Sequence, residues 1–346
     1  MKKIVGTIAA IALAASSAFA GVGIGSWGRA IWAPVQGDGD KVTSWEGISW
    51  GSAKSRVGIS VHGESENVGF NLDMNGDGGV GLGDLAQFWA KPFSWLEVKI
   101  GQTQDDTGRG NAAYGIFNWK RMGGGKTGED VTFTRFGNGT GGQAQGAIVK
   151  ITPIENLWII AAFNVQDDKD AKATFVNNAQ YGAGYTIDGI GSIRAQYIGG
   201  DDSTTKAGET VASSKINVAF DLTAVENLFV TVGAYVPVDG NGGAANVNAY
   251  ANLKLDAVSL HALVTTSIAS DFGFGVGIGA DVDFGNGLGA NFDVRYQKTD
   301  LSFLAGLTKG LSNGMIGVGF QGNVGDLDTS SSSFSWAVPV VISAWF

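Results

Sequence analysis

Phe272-Gly273-Phe274-Gly275-Val276-Gly277-Ile278-Gly279-Ala280-Asp281-Val282-Asp283-Phe284 places an apolar side chain at every even position and glycine or aspartate at every odd one. A period of two belongs to an extended strand, whose successive side chains point to opposite faces. One face of this stretch is apolar and the other is small or acidic. The alternation recurs along the chain. Ile216, Val218, Phe220 and Leu222 alternate with Asn217, Ala219 and Asp221, and Tyr181, Ala183, Tyr185 and Ile187 with Gly182, Gly184 and Thr186. Over 245–255, Asn246, Asn248, Tyr250, Asn252 and Lys254 share one face.

A soluble sandwich also alternates, so other features decide. The alternating runs reach roughly 9–12 residues, beyond the usual 5–6 and long enough to cross a bilayer at a tilt. Their polar face is small or hydrogen-bonding, and their apolar face gathers aromatics toward the ends, as at Phe163, Tyr197, Phe272, Phe274 and Phe284. The connections alternate in length. Short ones fall at 64–67, 91–95, 152–156, 188–191, 223–227 and 285–287, and longer polar ones at 34–54, 75–81, 104–142, 167–178, 200–212, 239–243 and 325–333. Thr152-Pro153-Ile154-Glu155-Asn156-Leu157-Trp158 repeats as Thr223-Ala224-Val225-Glu226-Asn227-Leu228-Phe229, an offset of 71 residues spanning four strands. The expected fold is all-β: a closed, transmembrane, antiparallel up-and-down barrel of about 18 strands, with even counts of 16–20 in range.

Composition agrees. Glycine supplies 55 of 346 residues, more than twice the usual share of roughly 7%, and each costs a helix about 1 kcal/mol relative to alanine. Proline is scarce and cysteine absent. Residues 1–20 read as an export signal: Lys2 and Lys3, an apolar stretch over 4–15, then Ala18-Phe19-Ala20 before Gly21, with cleavage expected between Ala20 and Gly21. The apolar stretch is shorter than the roughly 20 residues a membrane helix needs. The working domain is then 21–346. Removing Lys2 and Lys3 takes the formal net charge from −9 to −11, which argues against nucleic acid as a partner.

The C-terminus puts Phe334, Trp336, Val338, Val340, Ile342, Ala344 and the final Phe346 on one face. This resembles the terminal assembly signal of bacterial outer-membrane porin-like barrels, with Ala344 where an aromatic is common and Trp345 on the opposite face. Pro339 removes a ladder donor, so a bulge is expected there. The resemblance implies residence in the outer membrane of a bacterium with two membranes, contact with its lipid and the barrel-assembly machinery, and a homotrimer among the assemblies it allows. It also implies passive diffusion of small hydrophilic solutes or ions, without a cofactor. The alternative is a surface antigen or adhesin acting through its loops, with Trp45 and Trp50 in the 34–54 loop as contacts.

Strand parity sends Arg56, Ser60, His62 and Glu64, then Glu97 and Lys99, Lys150, Ser192, Arg194 and Gln196, and Asn291, Asp293, Arg295 and Gln297 toward the lumen. Opposed charges across a pore orient and filter solutes. Segment 104–142 is open to two readings. It forms a loop folded into the lumen, with Arg109, Lys120 and Arg121 at a constriction, or an extra membrane hairpin from 112–121 and 129–136. Asp73, Asn75, Asp77 and Asp84 copy the spacing of a Ca²⁺ loop, but DG-rich hairpin turns explain the same residues, and the turn reading is preferred. The only histidines are His62 and His261. His261 falls diagonally opposite Asp281, yet no nucleophile constellation accompanies it, so no enzyme is expected.

Overall fold

A computed structural model describes residues 21–46, 55–76, 79–109, 135–137, 146–164, 173–177, 179–200, 204–206, 209–211, 214–238, 244–269, 272–328 and 332–346. Eighteen strands follow one another: β1 (Val22–Asp38), β2 (Ser55–Glu64), β3 (Val68–Gly76), β4 (Val80–Phe93), β5 (Leu96–Gln102), β6 (Gly146–Ile154), β7 (Leu157–Asn164), β8 (Ala179–Ile187), β9 (Gly191–Ile198), β10 (Lys215–Leu222), β11 (Leu228–Pro237), β12 (Asn246–Leu255), β13 (Val258–Ile268), β14 (Phe272–Gly285), β15 (Leu288–Gln297), β16 (Asp300–Leu311), β17 (Gly314–Gly325) and β18 (Ser333–Trp345). Each pairs antiparallel with its sequence neighbour. The last returns to the first, from Trp27↔Trp345 to Asp38↔Ser335. The sheet is a closed barrel of 18 strands, as the 71-residue repeat implies. Closure leaves no unpaired edge, the condition for backbone to lie in hydrocarbon.

Burial runs opposite to that of a soluble protein. On β10, Ile216, Val218 and Phe220 are exposed while Asn217, Ala219 and Asp221 are buried. The same inversion holds on β15, where Phe292 and Val294 are exposed and Asn291, Asp293 and Arg295 buried. Apolar side chains thus face outward and polar ones inward, as lipid outside and water inside demand. Among the described strand side chains, Lys309 is the ionised group pointing outward, and its ammonium reaches the Asn286 carbonyl at the rim.

Asn156 and Asn227, the fifth residues of the repeated heptads, are both left-handed (φ 66° and 62°), as are Asp256 (47°) and the Asn286-Gly287 pair (53° and 73°). These are the residue types that tolerate positive φ in tight hairpins. They gather at one rim, with both ends of the described chain. There the Glu64 amide donates to the Gly21 carbonyl (3.0 Å) and the Phe346 amide to the Ser26 carbonyl (2.7 Å). The strand ends that lead into the long connections lie at the other rim. Aromatics ring both outer rims, with Phe303, Phe320, Phe334 and Trp336 in contact at the loop side and Phe88, Phe93 and Phe284 exposed at the turn side. The bulge expected at Pro339 is present: the β1–β18 register shifts between Trp32 and Val35, opposite Val340 and Val338.

Candidate functional site

β5 and β6 pair directly, from Leu96↔Ile151 to Gly101↔Gly146, so the 43 residues at 103–145 add no strand between them. The chain turns off the wall at Gly101, whose φ of +120° and close approach to the Ala86 carbonyl exclude a side chain. Gln104–Asp105 then pair with Phe136–Gly137. Phe136 is fully buried against Ile148, Ile160 and Ala162, with the Trp158 ring edge-on at 6.0 Å. A side chain at Gly182 would collide with the Phe136 ring. Ile148 pairs with Lys99, Ile160 with Lys150 and Gly182 with Gln196, all on the polar inner face. The described parts of this segment therefore lie inside the barrel.

Polar groups hold the segment alongside that apolar seat. Lys99 Nζ donates to Asp105 Oδ2 (2.7 Å) and lies 3.3 Å from Glu97 Oε1. Lys150 Nζ donates to Thr107 Oγ1 (2.6 Å), and the Gln104 amide donates to Gln87 Oε1 (3.2 Å). Gln102 Nε2 donates to the Gly83 carbonyl (2.7 Å), and Arg135 pairs with Asp106 at 2.9 Å. Asp105 belongs to the inward segment rather than to a spanning strand. Burial pushes its carboxyl up, but Lys99, the Thr107 contact and Lys150 outweigh that, leaving it below the ordinary carboxylate range.

Arg56 lies over the Trp27 ring at 5.7 Å, directly opposite Arg29 in the β1–β2 register. Arg29 Nε donates to Ser343 Oγ (3.1 Å). His62 and Glu64 continue the inner face of β2 toward the turn-side rim, where Glu64 pairs with Gly69. Farther round, buried Arg194 donates to Asp221 Oδ2 at 2.6 Å. Asn217 Nδ2 donates to Gln196 Oε1 at 3.2 Å. His261 pairs with Gly279, and Gly279 with Asp293, so the imidazole and the Asp293 carboxylate converge over the bare glycine. Asp281 is the diagonal neighbour, its Oδ2 3.7 Å from His261 Nε2, and it accepts from Asn291 Nδ2 at 2.5 Å. Arg295, on β15, is buried on the inner wall nearer the loop-side rim.

Of the remaining expected residues, Arg109 closes a turn by donating its amide to the Asp106 carbonyl (2.9 Å) at the end of the inward stretch. Lys120 and Arg121 lie outside the described residues, as do Ala20, Asp77 and Trp50. Asp73 and Asn75 stand two apart on β3, which pairs with β4 across a hairpin; Asp84 lies within β4. Among the described residues no cluster of three His, Asp or Glu groups is shaped for a metal ion.

Sequence parity did not single out Arg29, Asp221 or the glutamines 87, 102 and 104. It also passed over the Phe136 seat, although β7 holds its signal. Leu157-Trp158-Ile159-Ile160-Ala161-Ala162-Phe163 is apolar on both faces, unlike the strictly alternating 216–222 and 272–284. An inner face without polarity marks a place where protein, not water, covers the wall.

No protein-family model and no curated protein sequence matches the chain. Solved structures do. A quintuple mutant of the porin of Rhodopseudomonas blastica superposes with a TM-score of 0.54 at 16% identity, over 94% of this chain and 100% of that one. A triple mutant of the same porin gives 0.52 at 17% over the same shares. The fold is that of a porin. At this identity the likeness is one of architecture. A third structure, from work on the asymmetric conductivity of engineered proteins, gives 0.53 at 17%, over 94% of this chain and 100% of that one. All three are matched over their whole length.

Proposed function

We propose that the barrel is a porin-like channel in the outer membrane of a bacterium with two membranes, passing small hydrophilic solutes and ions by passive diffusion. The observation that supports it is the inner wall: polar groups line a closed ring of 18 strands, and barrels of 16–18 strands leave an aqueous lumen. The segment pinned at Asp105 and Phe136 narrows that lumen from one side. Its wall carries paired cations and carboxylates, so the pore acts through size and local field and needs no cofactor. The third structural neighbour comes from work on conductivity, in keeping with this reading. Reconstitution into a planar bilayer should give discrete conductance steps, whereas a folded barrel that stays electrically silent would overturn the proposal.

The Lys99–Asp105 contact gives the pore a defined acid response. A depressed carboxyl pKa means that the contact holds at all pH values above the ordinary carboxylate range. It weakens only as pH falls below the ordinary carboxylate range, through Asp105's own lowered value. Wild type and Asp105→Asn should therefore conduct differently at neutral pH and converge only in acid below that range. Equal conductance of the two at neutral pH would remove Asp105 from the set of groups that hold the segment.

Lys99 also sets sign. Lys99→Glu replaces the cation between Glu97 and Asp105 with a third acid, which should shift reversal potentials in a salt gradient toward cation preference. An unchanged reversal potential would mean that ions pass beyond the reach of this cluster, more than about 10 Å away at 0.1 M salt.

A further inference from the structure

Four strands round the ring from β5 at its nearest edge, the loop-side inner wall of β15–β18 and β1 encloses a recess of about 600 Å³. Its polar lining is mostly neutral: Gln36 from β1, Gln297 from β15, Ser302 from β16, Asn323 from β17 and Ser335 from β18. Asp38 and Asp300 formally cancel Arg295 and Lys298 at its margins. Elsewhere on the wall the charged groups are engaged with one another, as at Lys99–Asp105 and Arg194–Asp221. In the recess the neutral groups keep hydrogen-bonding capacity. Asn323 commits its carbonyl to Ser302 (2.7 Å), which leaves its two N–H donors. Gln36 commits its N–H side to Thr43 (3.1 Å), which leaves its carbonyl. Among the described residues, Gln297 and Ser335 have no side-chain hydrogen bond.

We infer that this recess is a docking site for neutral polyhydroxylated solutes, of mono- to disaccharide size, on their way through the pore. The inference rests on the channel reading and adds a solute class to it. Adjacent strands are about 4.8 Å apart and same-face residues on one strand about 6.7 Å apart. Donors and acceptors of both kinds are therefore set out at the spacing of hydroxyls across sugar rings. A volume of about 600 Å³ lies in the range of small-molecule sites. With no net charge at the margin, a charged solute gains nothing there that a neutral one lacks. A sugar satisfies several amides at once, where water must satisfy them singly.

The test is current through single barrels in potassium chloride, with sucrose added on the loop side. A polyethylene glycol of equal hydrodynamic size serves as control, since it enters by size but lacks clustered donors. Sucrose should reduce the current saturably, with half-effect in the millimolar range, while the polymer acts in simple proportion to its concentration. Gln297→Leu with Asn323→Leu should raise the half-effect concentration about tenfold or more, two lost hydrogen bonds being the cause. Heat-modifiable gel migration confirms that the variant is assembled. If the double variant does not assemble, Ser335→Ala with Gln297→Glu serves in its place, with a smaller rise expected. Sucrose block proportional to concentration, or equal in wild type and variant, overturns the inference. An electrically silent barrel instead overturns the channel reading. Calorimetry of the detergent-folded protein with sucrose then still reads the recess, where heat of binding sensitive to Gln297→Leu supports the site and its absence overturns it.

Discussion

Replacing Val232 with lysine should destabilise the barrel by about 2–4 kcal/mol, the cost of a cation on the lipid face near mid-membrane. Val232 is at the centre of β11, points outward, is 43% exposed, and pairs with Phe220 on one side and Ala249 on the other. A lysine there has no carboxylate within its pairing rows and no rim close enough to reach, unlike Lys309, which finds the Asn286 carbonyl. Asn248 is the matched control, since it sits on the adjacent strand opposite Gly233, one residue along, and points inward. Asn248→Lys keeps its ammonium in water and loses the bond its side chain accepts from the Thr266 amide (3.1 Å), a cost of about 1 kcal/mol. Denaturant titration of both variants refolded into lipid vesicles separates the two. Equal costs would mean that the two faces do not differ as lipid and water do. A larger cost at Asn248 would put lipid on the side this fold gives to water.

The fold was legible because the solvent on each face of the wall differs sharply. A strand between lipid and water writes that difference into every second residue, so 272–284 alone specifies a strand and its two environments. Turn chemistry wrote the rest: Asn156 and Asn227 recur 71 residues apart because the turn-side hairpins need left-handed residues, and the spacing counts strands. The wall groups were legible for the same reason, since parity alone places Glu97, Lys99, Lys150, Arg194, Asp293 and Arg295 on the inner face. Parity does not reveal partners. It could not pair Arg194 with Asp221, because that contact runs diagonally across the β9–β10 register, in which Arg194 faces Ala219 and Ser192 faces Asp221. Nor could loop length alone tell an inward segment from a membrane hairpin. The deciding information was the failed alternation of β7, where Ile160 and Ala162 face inward without polarity because Phe136 covers them.

Phe136→Ala should open the pore without weakening the wall. The ring is fully buried, and truncating a buried phenylalanine typically costs about 3–5 kcal/mol. Here that energy holds a segment to the inner face, since Phe136 lies outside the ladders that close the barrel. Among the described residues, the remaining ties include the Lys99–Asp105 ion pair, the Lys99 bond to the Gln104 carbonyl, the Lys150–Thr107 bond and the Gln104–Gln87 bond. Neutral bonds of this kind contribute about 0.5–1.5 kcal/mol each, so the ring outweighs any one of them. The segment should then leave its seat for a measurable fraction of time. Single-channel records should show a larger or newly fluctuating conductance, while resistance to unfolding on heated detergent gels stays near that of wild type. Phe136→Leu, which refills most of the seat, should restore steady current. Adding Asp105→Asn to Phe136→Ala should enlarge the effect beyond either change alone, because both act on one docking equilibrium. A Phe136→Ala barrel that unfolds early yet conducts like wild type would show that the ring supports the wall itself, and the constriction would have to be sought elsewhere in the lumen.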